Sequence, residues 1–335
     1  MPELRRDPVL GRWIIISRER RKRPSDFPVE VSKGNGGFCP LCPGNESSTP
    51  PAVLTFNKEE QGGGESKWQV RVVPNKYPAL VIEGDLEKEG IGLYDRMNGI
   101  GAHEVIIESP SHDEKFADLD SHNMALVFKA YKDRILDLEK DSRFKYVMVF
   151  KNHGKAAGAS LEHSHSQLIA LPILPRMIVS ELAGSKSHYN YKERCVFCDI
   201  IRQEMQQDVR VVCQNEKFIT LTPFAPRTPF EMWILPKNHS SGYCSQEDAD
   251  LLALADIFSL SLRALSCCIP DVPYNFVLHT GPLHEPPVEY YHWHFEIVPK
   301  LTSIAGFEWG SGFYINPLPP EEAAEFLRQS IAQLS

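Results

Sequence analysis

The chain has 335 residues, of which 42% are hydrophobic, and its 36 Lys and Arg against 44 Asp and Glu give a formal net charge of −8. This length and apolar content predict one large double unit or two domains with a substantial core. The acidic balance disfavours nonspecific nucleic-acid binding, no apolar run approaches the roughly 20 residues of a membrane span, and the N-terminus lacks the apolar stretch of a signal peptide. We therefore expect a cytoplasmic protein whose partners include neither nucleic acid nor membrane.

The first predicted strand covers residues 12–16, a segment rich in β-forming side chains, and a run of cations follows it. The run includes Arg20, Arg21, Lys22 and Arg23. Such a cluster binds an anion or forms a solvated loop, and the sequence leaves both possibilities open.

A loop rich in Gly, Pro and Ser is predicted for residues 31–66, and it carries Cys39 and Cys42 in a tight turn. This C-x2-C spacing, in an intracellular chain, suits a zinc knuckle in which two thiolates bind one ion. Residues 68–83 predict two strands around a Pro-Asn turn that contains Asn75.

A strand that ends shortly before His112, a helix over residues 117–140 and a strand over residues 145–150 lead into a Gly-containing turn and the motif HSHSQ at residues 163–167. Backbone amides in a Gly turn can hold a phosphate. Because side chains of an extended segment repeat every two residues, the two histidines and the glutamine of this motif lie on one face. One imidazole is a candidate nucleophile and the other a candidate metal ligand. The alternative is a polar strand edge with two unremarkable histidines.

The second part of the chain repeats this order of features. In order, they are the Cys195/Cys198 pair, a strand ending before His239, a helix over residues 248–266, a strand over residues 275–279, and the motif His292-x-His294-x-Glu296. The interval from His112 to His163 is 51 residues, and that from His239 to His292 is 53 residues. A shared order with near-equal spacing indicates an internal duplication. It predicts an N-terminal half over residues 1–174 and a C-terminal half over residues 175–335.

Each half supplies two Cys and two His, which form a complete tetrahedral ligand set for Zn²⁺. The predicted ligands are Cys39, Cys42, His112 and His163 in the first half, and Cys195, Cys198, His239 and His292 in the second. Because no coordination position is left open, both zinc ions would be structural. The alternative for the second half is a set of relic residues that pack without a metal.

His165 lies two residues beyond a predicted zinc ligand and remains free to attack phosphorus as a neutral imidazole. Gln167 can donate an N–H to a phosphoryl oxygen but cannot act as a general acid. A departing phosphate needs no proton, so this glutamine favours transfer between phosphates over hydrolysis. Glu296 replaces it in the second half and would repel a phosphate, which predicts a non-catalytic half. We interpret His279 as a surface or packing residue.

Over nearly the whole chain, these motifs are similar to those of the galactose-1-phosphate uridylyltransferases of the histidine-triad superfamily. The residues that carry the resemblance are Asp7-Pro8, Gly11 to Ser17, Arg20, Lys22-Arg23-Pro24, Cys39 to Gly44, Asn152, Gly158, Ser160, His163-x-His165-x-Gln167 and Gly306 to Pro317. The resemblance implies an α+β fold in which two histidine-triad-like repeats form an antiparallel half-barrel sheet with helices packed on one side. It also implies a homodimer.

The resemblance implies ping-pong nucleotidyl transfer. His165, assisted by Gln167, would attack the α-phosphorus of a nucleotide sugar, and phosphate or a sugar 1-phosphate would then accept the nucleotide. With neighbouring residues included, the predicted substrate contacts are Arg20, Arg21, Lys22, Arg23, Asn75, Asn152, Gly158, Ala159, Ser160, Leu161, Gln167, Gly310 and Gly312.

Two positions depart from the uridylyltransferase pattern. Ser164 stands where those enzymes carry proline, and the segment from Gly306 to Glu308 has no clear match to the polar residue that reads the galactose end. The pattern is closer to the plant-type branch, which resembles adenylyl transferases that phosphorolyse ADP-glucose. We therefore predict transfer from ADP-glucose. The alternatives are a UDP-glucose–hexose-1-phosphate uridylyltransferase, a nucleotide hydrolase of the histidine-triad type, and a zinc protein that binds nucleic acid, which the acidity and the apolar knuckles disfavour.

Overall fold

The computed structural model describes residues 1–17, 23–27, 37–58 and 68–334. Its strands are β1 (Glu3–Arg6), β2 (Trp13–Ile16), β3 (Leu54–Asn57), β4 (Trp68–Pro74), β5 (Glu89–Ile91), β6 (Tyr94–Arg96), β7 (Ala102–Ile107), β8 (Tyr146–His153), β9 (His165–Leu171), β10 (Val211–Gln214), β11 (Phe218–Leu221), β12 (Met232–Pro236), β13 (Tyr274–His279), β14 (His294–Pro299) and β15 (Tyr314–Asn316). Its α-helices are α1 (Ser121–Leu138), α2 (Arg176–Lys192), α3 (Val196–Gln207), α4 (Asp248–Cys268), α5 (Gly306–Ser311) and α6 (Pro320–Leu334).

One large sheet organises the molecule, with the strand order β10-β11-β12-β14-β13-β8-β9-β7-β4-β3. Each neighbouring pair in it is antiparallel. The repeated motifs lie on β7, β8 and β9 and on β12, β13 and β14, and β8 pairs with β13 where the two sets meet. The prediction of an α+β fold built on a large antiparallel sheet is confirmed.

Helices α1 and α4 pack on one face of this sheet and enclose the main hydrophobic core. Asp120 begins α1 by accepting the N–H of Asn123, as expected for an N-cap acid. By length and composition, α4 is the one helix of the described residues that would suffice to cross a membrane, but half of it is buried inside the protein. It packs against α1 and α6, so it is the central core helix.

The opposite face of the sheet is covered differently along its length. Over β12 and β14, α2 and α3 pack on it, and the ring of Phe197 on α3 lies against Trp233 and His294. His165 and Gln167 lie on this same face, over the first set of strands. On this side of the sheet, the second set of strands is therefore covered by helices, and the first set carries the candidate functional surface.

The first residues of the chain pack with its last segments. β2 pairs in parallel with β15, and Ile14 lies opposite Tyr314. The guanidinium of Arg5 on β1 binds Glu321 at 2.8 Å at the start of α6. Residues predicted to belong to the N-terminal half therefore lie against C-terminal elements.

The prediction of a second strand after the Pro-Asn turn is wrong. β4 agrees with the first predicted strand, but within residues 75–83 the structure has only an isolated bridge between Val81 and Ile100. The cause is local. The side chain of Asn75 accepts the N–H of Tyr77, and the N–H of Ala79 bonds to a side chain of β7, so the segment folds back over the end of that strand.

Candidate active site

His165 is the first residue of β9, and its own backbone fixes the orientation of its imidazole. Nδ1 lies 2.8 Å from the carbonyl oxygen of His163. A carbonyl only accepts, so Nδ1 carries the proton and Nε2 keeps its lone pair. The side chain is 6% exposed, and burial, followed by the charge of Lys151, lowers its pKa. A neutral imidazole with a free Nε2 lone pair is chemically competent as a nucleophile.

Gln167 lies on the same face of β9, and the ring of His103 on β7 fixes its amide. The N–H of Ala79 donates to Nδ1 of His103 at 3.1 Å, so the ring proton is on Nε2, which donates to Oε1 of Gln167 at 2.8 Å. The NH₂ group of Gln167 remains available to a substrate. Nδ2 of Asn75 lies 3.1 Å from the same ring nitrogen, a contact between two donors that places Asn75 beside this pair.

Sequence reasoning missed His103. The signal that would have found it is strand alternation: β7 pairs with β9 so that Val105 lies opposite Gln167, and His103 is two residues away on that face. That signal required the pairing of β7 with β9, which the motifs do not specify.

The Gly turn after β8 is closed by its own hydrogen bonds. The N–H groups of residues 157–159 donate to the carbonyls of Gly154 and Lys155. The predicted phosphate cradle therefore has fewer free amides than expected. In the described chain, the next two N–H groups, those of Ser160 and Leu161, make no hydrogen bond to protein, and both residues are exposed.

Asn152 lies near the end of β8 and faces this turn. Its Oδ1 accepts from Nδ2 of Asn275 on β13 at 2.7 Å, which leaves its own NH₂ group as a donor beside Gly158. Asn275 also donates to the carbonyl of Ala157 at 2.8 Å. Sequence reasoning missed Asn275 because its position depends on the pairing of β8 with β13, where it lies opposite Asn152.

The first predicted metal cluster is assembled. The ligand atoms of Cys39, Cys42, His112 and His163 lie within 4.8 Å of one another. Sγ of Cys42 is 3.3 Å from Nδ1 of His112 and 3.5 Å from Nδ1 of His163. A tetrahedral zinc site places sulfur and nitrogen ligands about 3.5 Å apart, so the spacing fits. Nε2 of His163 donates to the carbonyl of Ser109 at 2.8 Å, which aims Nδ1 at the cluster.

The second predicted cluster has the same geometry. Cys195, Cys198, His239 and His292 also bring their ligand atoms within 4.8 Å. Sγ of Cys198 is 3.4 Å from Nδ1 of His239 and 3.6 Å from Nδ1 of His292. As with His163, a backbone carbonyl fixes the orientation of the His292 ring, since Nε2 of His292 donates to the carbonyl of Pro236 at 2.9 Å. Both clusters can hold a metal ion.

The family model for the N-terminal domain of galactose-1-phosphate uridyl transferase matches residues 1–175, and a model for a domain of unknown function (DUF4921) matches residues 102–335. The chain belongs to the galactose-1-phosphate uridylyltransferase family. An ADP-glucose phosphorylase from Arabidopsis thaliana is 36% identical over 335 residues, which cover 98% of this chain and 93% of that protein. A galactose-1-phosphate uridylyltransferase from Thermotoga maritima is 28% identical over 346 residues, covering 100% of both chains.

Solved structures of this family agree with the sequence comparisons. The crystal structure of an ADP-glucose phosphorylase from Arabidopsis thaliana with bound ADP-glucose has a TM-score of 0.82 at 35% identity, covering 98% of both chains. These named relatives are nucleotidyltransferases, and this chain is an enzyme of that class.

The remaining family-implied substrate contacts either fall outside the described residues or make no hydrogen bond to the cluster around His165 within the described part of the chain. Arg20, Arg21 and Lys22 fall outside the described residues. Arg23 lies beside the C-terminal end of α4 and lines a cavity with Phe27. Gly310 and Gly312 lie within and directly after α5, and no hydrogen bond among the described residues joins them to β9.

In the second half of this family fold, His294 occupies the position that His165 has in the first. It is 1% exposed, and its Nε2 is buried without a hydrogen-bond partner among the described residues. Its ring stacks on His279 with centroids 4.7 Å apart. Burial, followed by the charge of His279, lowers the pKa of His294 to about 4. A ring enclosed in this way cannot reach a substrate.

The interpretation of His279 as a surface or packing residue needs correction. It is the centre of a buried ionic cluster, with Nδ1 3.0 Å from Glu181 and Nε2 3.4 Å from Glu296. Burial lowers the pKa of His279, but the two carboxylates outweigh it and raise that pKa to about 10. Glu296, the counterpart of Gln167 in the second set of strands, also binds Arg227. The ligand atoms of Glu181, His279, His294 and Glu296 lie within 4.8 Å, but a doubly protonated His279 has no lone pair for a metal.

Proposed function

We propose that the protein transfers a nucleoside monophosphate from a nucleotide sugar, with ADP-glucose as donor, to phosphate through a covalent nucleotidyl-His165 intermediate. The observation that carries this proposal is the fixed tautomer of His165. Its Nδ1 proton is held by the His163 carbonyl, and its Nε2 lone pair is free on the strand face that carries the Gln167 amide. Phosphate is the acceptor that we predict, and a sugar 1-phosphate is chemically equivalent at the reacting oxygen.

The transfer has two steps at one phosphorus. Nε2 of His165 forms a bond to the α-phosphorus of ADP-glucose, and the bond to the bridging oxygen breaks with its electron pair leaving on glucose 1-phosphate. An oxygen of inorganic phosphate then attacks the same phosphorus, ADP departs, and His165 returns to its neutral form. The NH₂ groups of Gln167 and Asn152 are placed to donate to the non-bridging oxygens as charge develops. Neither leaving group requires a proton.

The choice of adenine as the base of the donor nucleotide sugar rests on similarity. The relative from Arabidopsis thaliana, named ADP-glucose phosphorylase, shares more identity with the chain than the uridylyltransferase from Thermotoga maritima. Ser164 also departs from the proline of the uridylyltransferase pattern. The alternative is a UDP-glucose–hexose-1-phosphate uridylyltransferase, which the same His165 chemistry serves. A histidine-triad nucleotide hydrolase is a weaker alternative, because Gln167 cannot act as a general acid.

Each Cys₂His₂ cluster would hold one structural Zn²⁺, and the ligand spacing supports this assignment. We also infer a catalytic half over residues 1–174 and a non-catalytic half over residues 175–335. A homodimer and a cytoplasmic location stay predictions. The zinc ions would tie the knuckles to the strands and take no part in the transfer.

Isotope exchange tests the proposal. Labelled glucose 1-phosphate enters ADP-glucose in the absence of phosphate only if a nucleotidyl-enzyme forms. We expect exchange by the native protein and by His294→Gln, whose substituted side chain lies in the enclosed half, and none by His165→Gly. Undiminished exchange in His165→Gly would overturn the proposal. Steady AMP release without an acceptor would favour the hydrolase.

A further inference from the structure

A fully buried ionic cluster lies directly behind the proposed nucleophile, and neither metal binding nor the transfer steps use it. It consists of Lys151 on β8, Glu108 just after β7 and Ser164 just before β9, which are 1%, 0% and 6% exposed. Nζ of Lys151 lies 2.5 Å from Oε2 of Glu108 and 3.1 Å from Oγ of Ser164. Ser164 donates to the same Oε2 at 2.6 Å. The ammonium also donates to the backbone carbonyl of His165 at 2.8 Å, so all three of its hydrogens have acceptors.

This cluster completes a set of donors to three successive carbonyls. The carbonyl of His163 accepts from the ring of His165, that of Ser164 accepts from the N–H of Glu108 at 3.2 Å, and that of His165 accepts from Lys151. The direction of the imidazole depends on the first of these carbonyls, and the other two hold the peptide planes that follow. A serine leaves its φ unrestrained, where a proline would fix it, so these bonds supply the restraint.

The second half shows that the fold does not require such a cluster. The matching strand registers give the counterparts of Lys151, Ser164 and Glu108 as Leu278, Trp293 and Pro236. All three are apolar and buried. The same arrangement of strands is therefore built with apolar packing in the half whose histidine is enclosed, and with buried charges in the half whose histidine is available.

A buried ion pair is weak evidence for stability, because desolvation of both charges offsets their attraction. Replacing such a pair by apolar residues of similar volume is often neutral, whereas removing one partner leaves an uncompensated charge. The presence of the charges of Lys151 and Glu108 behind the nucleophile therefore points to a role other than stability. Lys151 faces the side of the sheet on which α1 and α4 pack, 5.2 Å from the ring of Phe116. It therefore cannot touch a substrate over β9, which would bind on the opposite side.

We propose that Lys151, Glu108 and Ser164 are positioning residues that hold the peptide of His165 so that its Nε2 is aimed at the α-phosphorus. The inference rests on the proposed function, since it takes His165 as the nucleophile. It predicts that the cluster affects the rate of nucleotidyl transfer and leaves the affinity for the nucleotide sugar unchanged, because none of the three residues lies on the substrate side.

The paired variant Lys151→Leu/Glu108→Leu removes both charges and leaves neither partner unpaired. We expect it to fold and to keep its KM for ADP-glucose within about twofold, while kcat falls by about tenfold to a hundredfold, the loss that follows from a misdirected nucleophile. A folded double variant with the kcat of the native protein would overturn the inference.

Ser164→Ala provides a second test that does not depend on the double variant folding. It removes one buried hydroxyl, and we expect kcat to fall about fivefold, the effect of one hydrogen bond, at unchanged KM. The matched control is Ser166→Ala, which removes another buried hydroxyl of β9, whose one side-chain hydrogen bond among the described residues comes from Tyr131 in the core. Equal kcat values for the two serine variants would overturn the inference. Loss of activity in His165→Gly in the same assay shows that the proposed function stands independently of this result.

Discussion

At the scale of single residues, two histidines only two positions apart are held in opposite tautomers. His163 donates through Nε2 to the carbonyl of Ser109 and turns Nδ1 towards the Cys pair. His165 donates through Nδ1 to the carbonyl of His163 and keeps its Nε2 lone pair. Each acceptor is a backbone carbonyl, so neither ring can change tautomer without losing a hydrogen bond. This difference supports the proposal that His163 binds a metal ion and that His165 attacks phosphorus.

The ring of His103 orients the amide of Gln167 by donating a hydrogen bond to its oxygen. We predict that His103→Ala lowers kcat about tenfold, because the Gln167 amide is then free to rotate and present its oxygen to the phosphate. In a Gln167→Ala background, the same change should add less than about a twofold loss, since no amide remains to be oriented. The four proteins of this cycle are compared by kcat and kcat/KM.

The control for that cycle is His122→Ala, which removes an exposed imidazole from α1. It should leave both kinetic constants unchanged. Multiplicative losses in the double variant would contradict the assignment, because they would mean that His103 acts independently of Gln167.

At the scale of elements, the turn between β8 and β9 connects the proposed phosphate contacts to the proposed nucleophile. Gly158 has a φ of 89°, a left-handed value that glycine adopts without strain. It follows a short helical turn, its own N–H and those of its two neighbours are already bonded, and the NH₂ group of Asn152 lies beside it. The turn therefore directs a small number of donors, rather than a complete ring of amides, towards the site.

Gly158→Ala tests this turn. We predict a loss of about 1 kcal/mol in the free energy of unfolding, the cost of placing a Cβ at a left-handed position. KM for phosphate should rise several-fold, because the strained turn moves the free amides that follow it. The measurements are chemical denaturation and steady-state kinetics. Gly242→Ala is the control, since Gly242 has a negative φ and open space around it. Equal behaviour of the two variants would contradict the role of the turn.

The elements also show what the sequence can and cannot predict. Motif spacing predicted both Cys₂His₂ clusters, because C-x2-C pairs are local signals, whereas the antiparallel sheet was predicted from the family resemblance. His103 and Asn275 escaped prediction because their contacts arise from pairing between distant strands. The second strand after β4 was a wrong prediction, because side-chain hydrogen bonds from Asn75 and to His103 turned an apolar segment into a loop.

At the scale of the whole molecule, the two halves share an architecture and differ in what covers it. α2 and α3 cover the second set of strands, and the Glu181–His279–Glu296 cluster fills the space beside His294. The corresponding face over β9 carries His165 and Gln167. This difference in cover supports the proposal of one catalytic and one non-catalytic half. Helix α2, which begins at Arg176 in the connection between the two sets of strands, helps to cover only the second set.

Removing one metal site from each half separates structure from activity. We predict that Cys42→Ser and Cys198→Ser each lower the zinc content from about two ions per chain to about one, and that both lower the melting temperature. Only Cys42→Ser should also reduce kcat by more than about tenfold, because its cluster contains His163, whose carbonyl orients His165. Metal analysis, thermal unfolding and kinetics are the measurements. A protein without zinc, or equal kcat losses in both variants, would contradict this account.

The central claim is that His165 becomes nucleotidylated, and the most direct test is the intact mass of the protein after brief incubation with ADP-glucose or UDP-glucose. The quench must avoid acid, because phosphoramidates are acid-labile, and peptide mapping locates the adduct. We predict an AMP adduct on His165 with ADP-glucose and none in His165→Gly. A UMP adduct alone would mean that the protein is a uridylyltransferase and that ADP-glucose is not its donor. An adduct at any residue other than His165 would contradict the account.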